Sequence, residues 1–172
     1  MVGATGAAGT ELLRVLERRN FPVASLRAIG SERSAGKSLR FQGESVPVEK
    51  LDEQSFGKID IAFFCAGSDV SKKYVPVACQ ADTIAIDKSS AFRAEPDVPL
   101  VIPEINADDV RRHRGLIANP NCTTTVMLMA LYLHLGPFSK RVISEIDCRI
   151  AELDVAAPAR ASGSQQRTME GA

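Results

Sequence analysis

Apolar positions along this 172-residue chain fall into two kinds of run. Short Val-, Ile- and Phe-rich runs predict buried strands at residues 25–29, 59–65, 83–87 and 116–118. Residues 41–51 alternate enough for a small hairpin. Between these, Leu12, Leu13, Val15 and Leu16 form a helical stripe that Asn20-Phe21-Pro22 ends, and residues 70–81 read as a second helix. Residues 107–113 predict a short helix, and the apolar run 126–135, opened by Cys122, predicts a longer buried one. Strands alternating with helices imply an α/β class, a Rossmann-like doubly wound parallel sheet. Its first strand reads as truncated, because only Met1 and Val2 precede the first helix's glycine turn and a strand needs roughly five residues. Residues 1–140 are expected to form this nucleotide-binding domain. Residues 141–150 alternate like a half-exposed strand, and residues 151–172 hold too few large apolar groups for a core. Residues 141–172 are therefore the start of a catalytic or dimerisation domain, or an irregular tail.

Composition narrows the classes. Lys plus Arg equals Asp plus Glu, 21 each, so bulk charge argues for neither nucleic acid nor an acidic membrane as partner. The brief basic cluster Arg111-Arg112-His113-Arg114 reads as a solvated helix end. The longest apolar helix candidate is about half a membrane span, and the N-terminus resembles no signal peptide. Cys65, Cys79, Cys122 and Cys148 have neither CxxC spacing nor a secreted-scaffold density, which points to a reducing, cytoplasmic setting.

The candidate chemistry lies at the turns. Gly3, Gly6 and Gly9 precede the first helix at a spacing that suits a tight turn whose N–H groups face a pyrophosphate, although a helix-packing glycine set has the same spacing. The ribose-reading position of a nucleotide-binding strand–helix–strand unit falls roughly 20 residues later, on the 30–38 loop. There Ser31, Arg33, Ser34 and Lys37 suit a 2′-phosphate, whereas Glu32 alone would accept from a 2′-hydroxyl; the balance favours NADP, with a solvated basic turn as the competing reading. Ala66-Gly67-Ser68 closes a strong strand, where an open parallel sheet presents ligand contacts. Cys122 follows a strand and Asn119-Pro120-Asn121, which places it on the first turn of a helix. Free N–H groups and the positive helix end favour a thiolate there and could hold an oxyanion. A small buried apolar cysteine is the plainer reading.

Taken together, Gly3-Ala4-Thr5-Gly6-Ala7-Ala8-Gly9, Arg33-Ser-Ala-Gly-Lys37, Ala66-Gly67-Ser68, Ser89-Ser-Ala-Phe-Arg93, Val98-Pro-Leu-Val-Ile-Pro-Glu-Ile-Asn106 and Ala118-Asn-Pro-Asn-Cys122-Thr resemble, in order, the aspartate-semialdehyde dehydrogenase family. The resemblance implies NADP-dependent reductive dephosphorylation of L-aspartyl 4-phosphate to L-aspartate 4-semialdehyde, on the route to lysine, methionine and threonine. It implies that Cys122 is the thioacyl-forming nucleophile and that Arg93 and Asn121 hold phosphate. It also implies cofactor contacts at Gly3, Thr5, Gly6, Ala7, Gly9, Ser31, Arg33, Ser34, Ala66, Gly67, Ser68 and Ser89. The expected partners are a small-molecule substrate and phosphate, and a further copy of the full-length chain. The related acetyl-glutamyl-phosphate reductases usually carry Pro-Gly, not Pro-Asn, before the cysteine.

The departures set limits. The family's usual Asp-Asn-Ser-Ser reads Asp87-Lys88-Ser89-Ser90, with a cation where a neutral amide commonly helps bind the cofactor. Ala159 matches the position of a substrate-orienting glutamine, and about fifteen extra residues precede Ser162-Gly163. The family's catalytic histidine lies in a half that this sequence does not include. His134 is twelve residues beyond Cys122 on the same helix, a rise of ~18 Å. His113 is roughly 15 Å away across an extended strand. Neither serves as the base, so the chain alone is expected to be an inactive portion of a dehydrogenase. The alternative is a non-catalytic nucleotide-binding or subunit-pairing module.

Overall fold

The computed structural model describes residues 1–135, with the side chains of His134 and Leu135 left aside. The elements in chain order are α1 (Ala7–Arg18), β1 (Ala28–Gly30), β2 (Ser38–Phe41), β3 (Glu44–Lys50), β4 (Ile61–Phe64), α2 (Ser68–Gln80), β5 (Ile84–Asp87), α3 (Pro103–Asn106), a 3₁₀ turn (Ala107–Arg112), β6 (Leu116–Ala118) and α4 (Cys122–Leu135). β1 runs parallel to β3, and β4, β5 and β6 run parallel to one another. β2 joins β3 antiparallel, turning through Gln42 and Gly43, both at positive φ. The expected α/β fold with a parallel sheet is present.

The two halves of the sheet meet at the first two residues. Val2 bridges Ile29 and Phe64, parallel to both. Its N–H donates to the Phe63 carbonyl at 2.8 Å, its carbonyl accepts from Cys65 N–H at 2.9 Å, and the Met1 carbonyl accepts from Ile29 N–H at 2.9 Å. The order across the sheet is therefore β2-β3-β1-(Val2)-β4-β5-β6. The chain departs from Val2 toward β1 on one side and later returns to β4 on the other. That reversal is the switch point at which open α/β sheets form their ligand crevice.

Each face has its own core. Leu13 and Leu16 of α1 pack with Met1, Ala4, Ala28, Phe41 and Val48 on one face. Val75 and Ala78 of α2 pack with Val2, Ile29, Ala62, Phe64 and Ala85 on the other. The two clusters divide the sequence by strand alternation: Phe63 and Cys65 lean on the α1 cluster, while Phe64 belongs to the α2 cluster.

Several expectations need correction. The second strand is Ala28–Gly30, shifted from residues 25–29, because its partner on β3 begins at Val48 and the Arg27 carbonyl instead receives the Met1 amine at 2.8 Å. The hairpin starts at Ser38 rather than residue 41. The helix expected at residues 107–113 is a 3₁₀ turn, Ala107–Arg112, after a four-residue α-helix. The apolar helix α4 is not buried: Leu128 is fully enclosed against Ile102 and Ile105, but Val126 is 72 % and Leu133 77 % exposed. A helix apolar on all sides needs neighbours on all sides, and the described residues supply them on one. The expected strand at residues 141–150, the 141–172 segment and the Ala159 position lie outside the described residues. No helix among the described residues is long and apolar enough to cross a membrane.

Candidate active site

The C-terminal edge of the sheet gathers most of the singled-out residues. Gly3 follows Val2 with φ +76°, and a Cβ there would come within 2.5 Å of the Cys65 carbonyl oxygen. A Cβ on Gly9 would meet the Gly3 carbonyl oxygen at 2.2 Å. These glycines let the α1 entry turn fold tightly against the ends of the central segment and β4. Gly6 is the N-cap of α1, and Gly67 the N-cap of α2; neither helix has a side-chain cap. The first-turn N–H groups of both helices are thus left to solvent or a ligand at the same edge. Gly6 N–H itself donates to the Gly3 carbonyl at 3.0 Å. The donors on offer are therefore those of the helix start, at Ala7, Ala8 and Gly9.

The loop after β1 closes against this turn. Thr5 Oγ1 donates to Ser34 Oγ at 3.1 Å. Glu32 is drawn aside by Lys50, 2.8 Å from its carboxylate, and that hydrogen bond holds its carboxyl below the ordinary range. Ser31 and Arg33 stay exposed beside it. Two first-turn N–H sets, an exposed guanidinium and a serine pair fit a dinucleotide with an additional phosphate on its ribose.

On the other side of the edge, Asp87 is a buried hub. Its carboxylate accepts from Ser71 Oγ at 2.7 Å, Ser89 N–H at 3.1 Å and Ser89 Oγ at 2.7 Å. Ser89 is therefore committed inward, and its hydroxyl also accepts from Ala91 N–H at 3.1 Å. Ser68 and Ser90 share a hydrogen bond at 3.0 Å, which ties the start of α2 to the same loop. The Asp87 carbonyl accepts from Asn119 N–H at 2.8 Å. Arg93, 7 % exposed, donates from Nε to the Asn119 carbonyl at 3.0 Å and from Nη2 to the Lys88 carbonyl at 2.9 Å.

These bonds fix the approach to α4. Asn121 caps that helix: its Oδ1 accepts from Thr123 N–H at 2.8 Å and its carbonyl from Thr125 Oγ1 at 3.0 Å. Cys122 is the first helical residue and is exposed, not the buried apolar cysteine of the plainer reading. Cys65 and Cys79 are half-buried, and burial raises the pKa of both thiols. The His113 ring is turned to its own loop, where Nδ1 accepts from Gly115 N–H at 3.1 Å. Among the described residues, no cluster of His, Cys, Asp and Glu could hold a metal ion.

The family described as "Semialdehyde dehydrogenase, NAD binding domain" matches residues 1–113. The chain belongs to this family. It is 48 % identical over 146 residues to an aspartate-semialdehyde dehydrogenase of Synechocystis, covering 84 % of this chain and 43 % of that protein. It is 51 % identical over 134 residues to an aspartate-semialdehyde dehydrogenase of Aquifex aeolicus, covering 76 % of this chain and 39 % of that one. Its fold matches the crystal structure of aspartate semialdehyde dehydrogenase II from Vibrio cholerae, complexed with ASA, with a TM-score of 0.71 at 44 % identity. That match covers 76 % of this chain and 43 % of the other. The chain thus spans about two-fifths of the length of these relatives.

Within this semialdehyde dehydrogenase domain, the structure adds Ser71 and gives Asp87, Ser90 and Asn121 roles that the sequence did not show. Asp87, Ser71 and Ser90 organise the edge, and Asn121 acts as a helix cap. The signal for Asp87 was present: an acid ending an otherwise apolar strand is buried by position and must be hydrogen-bonded. Its Ser71 partner carried none, because the two meet only when α2 packs on the sheet.

Proposed function

We propose that this chain carries the cofactor cleft and the nucleophile of an NADP-dependent aspartate-semialdehyde dehydrogenase. The reaction is reductive dephosphorylation of L-aspartyl 4-phosphate to L-aspartate 4-semialdehyde. The observation that carries the reading is the exposed Cys122 thiol at the start of α4, on the same sheet edge as the two helix starts on Gly6 and Gly67.

The sequence of bonds follows from that placement. The Cys122 Sγ, as thiolate, attacks the acyl carbon of aspartyl phosphate; the C–O bond to phosphate breaks, inorganic phosphate leaves, and a thioester to Cys122 remains. NADPH, when bound by the residues named below, would supply the hydride that reduces the thioester carbon. The C–S bond then breaks, the thiolate is restored and the aldehyde is released. Apart from the Thr123 N–H, which Asn121 Oδ1 takes up, the N–H groups at the start of α4 lie beside Cys122 and suit the oxyanion of each addition. Arg93 binds the carbonyls that flank the loop and sets a fixed positive charge beneath it, which favours the phosphate leaving group; Asn121 orients Cys122 by capping its helix and borders the phosphate. Gly3, Thr5, Gly6, Ala7 and Gly9 take the pyrophosphate side, and Ser31, Arg33 and Ser34 the 2′-phosphate. Ala66, Gly67 and Ser68 line the nicotinamide side, where the Asp87-bound Ser89 shapes the loop beneath. The reducing cytoplasm keeps the exposed thiol free. A small-molecule substrate, phosphate and a second copy of the longer chain are the partners. The exposed apolar side of α4 favours a pairing surface as a second role for the same domain.

The test separates binding from chemistry. The chain should bind NADPH more tightly than NADH, read by nucleotide fluorescence. Incubation with aspartyl phosphate should add one aspartyl group at Cys122, read by peptide mass spectrometry, without multiple turnover. No NADPH binding, or an adduct distributed over other residues, would overturn the reading.

A further inference from the structure

Lys88 occupies the strand end between the glycine turn and the cysteine loop. Its N–H donates to the Phe64 carbonyl at 3.0 Å, and its carbonyl accepts from Arg93. Asp87, its neighbour, points to the α2 face, where it meets Ser71. Strand alternation therefore sends Lys88 to the opposite face, that of α1 and the Gly6 helix start. Cys65 is the adjacent residue across the ladder and leans on that same face. The positive charge of Lys88 acts there, pulling the Cys65 thiol pKa down against the larger effect of burial.

Lys88 is half-buried as a residue, and its ammonium has no ion pair or side-chain hydrogen bond among the described residues. A lysine ammonium beside a ligand crevice, with no protein acceptor, is available to pair with an anion. The nearby carboxylate, Asp87, is on the other face and is already filled by two serines. An anionic ligand in the crevice would supply the missing acceptor.

We propose that the Lys88 ammonium is an anion contact of the crevice and takes a phosphate oxygen of the bound ligand. This rests on the dehydrogenase reading and deepens it, assigning a ligand contact to a position where relatives commonly carry an uncharged amide. Two sources share the chemistry: the pyrophosphate of the dinucleotide, and the phosphate that enters and leaves at Cys122. A cation here strengthens binding through charge, so its contribution fades as salt rises.

The experiment compares the full chain with Lys88→Gln, Lys88→Arg and the surface control Lys72→Gln. NADPH affinity is measured by fluorescence at low and high salt, and protection of Cys122 from alkylation is measured with inorganic phosphate. Loss of roughly tenfold in NADPH affinity in Lys88→Gln, with a flatter salt dependence and recovery in Lys88→Arg, supports the pyrophosphate source. Loss of phosphate protection with NADPH affinity intact supports the phosphate source. Unchanged values for both ligands, or an equal loss in Lys72→Gln, overturn the proposal while leaving the dehydrogenase reading in place. Failure of the unsubstituted chain to bind either ligand overturns both.

Discussion

At the residue scale, the three described cysteines differ in access. Cys122 starts a helix and is exposed; Cys65 lies beside Met1, and Cys79 is held near the Gly115 carbonyl at 3.4 Å. Burial raises the thiol pKa at both half-buried sites, so each carries less thiolate at neutral pH than an ordinary cysteine. Iodoacetamide at pH 7.5 should therefore modify Cys122 well before Cys65 or Cys79. Mass-resolved labelling that finds all three modified at one rate would remove the argument for a selectively available nucleophile. The position of Cys122 was readable from Asn119-Pro120-Asn121 followed by an apolar run. Its exposure was not, since that depends on what packs over the start of α4.

At the scale of elements, Asp87 joins β5 to α2 and to the loop that carries Ser89 and Ser90. Removing the carboxylate in Asp87→Ala would leave the Ser71 and Ser89 hydroxyls without their buried acceptor, which costs about 2–4 kcal/mol. Chemical denaturation should show that loss, with Asp87→Asn falling between the two because it keeps one acceptor. A midpoint for Asp87→Ala equal to that of the unsubstituted chain would mean that water replaces the carboxylate fully. Helices and strands were largely legible from apolar periodicity. The misplaced boundaries have a common cause: β1 and β2 are delimited by their pairing with β3, and pairing partners are remote in sequence.

At the scale of the whole molecule, one residue links two half-sheets. Val2 is 1 % exposed and makes the bridges to both Ile29 and Phe64. Val2→Ala removes two methyl groups from a packed site and should lower stability by about 2 kcal/mol, cavity included. The loss should appear in probes of β3 and of β5 alike, within a single transition. Separate transitions for the two halves would show that Val2 does not couple them. The same junction creates the switch point, so the crevice and the most sensitive structural seam share a location.

By itself the sequence determined the class of fold, the glycine turn, the identity of the nucleophile candidate and the order of the motifs, because each rests on local periodicity or on the steric demands of a few adjacent residues. Only the tertiary structure decided which of those motifs share an edge, that Asn121 caps α4, that Ser89 is turned inward to Asp87, and that the Lys88 N–H pairs with the Phe64 carbonyl at the end of β4. Those facts depend on which strand lies beside which, and on the face to which each side chain alternates. Register and packing are settled among residues far apart in the chain, where no local pattern reaches.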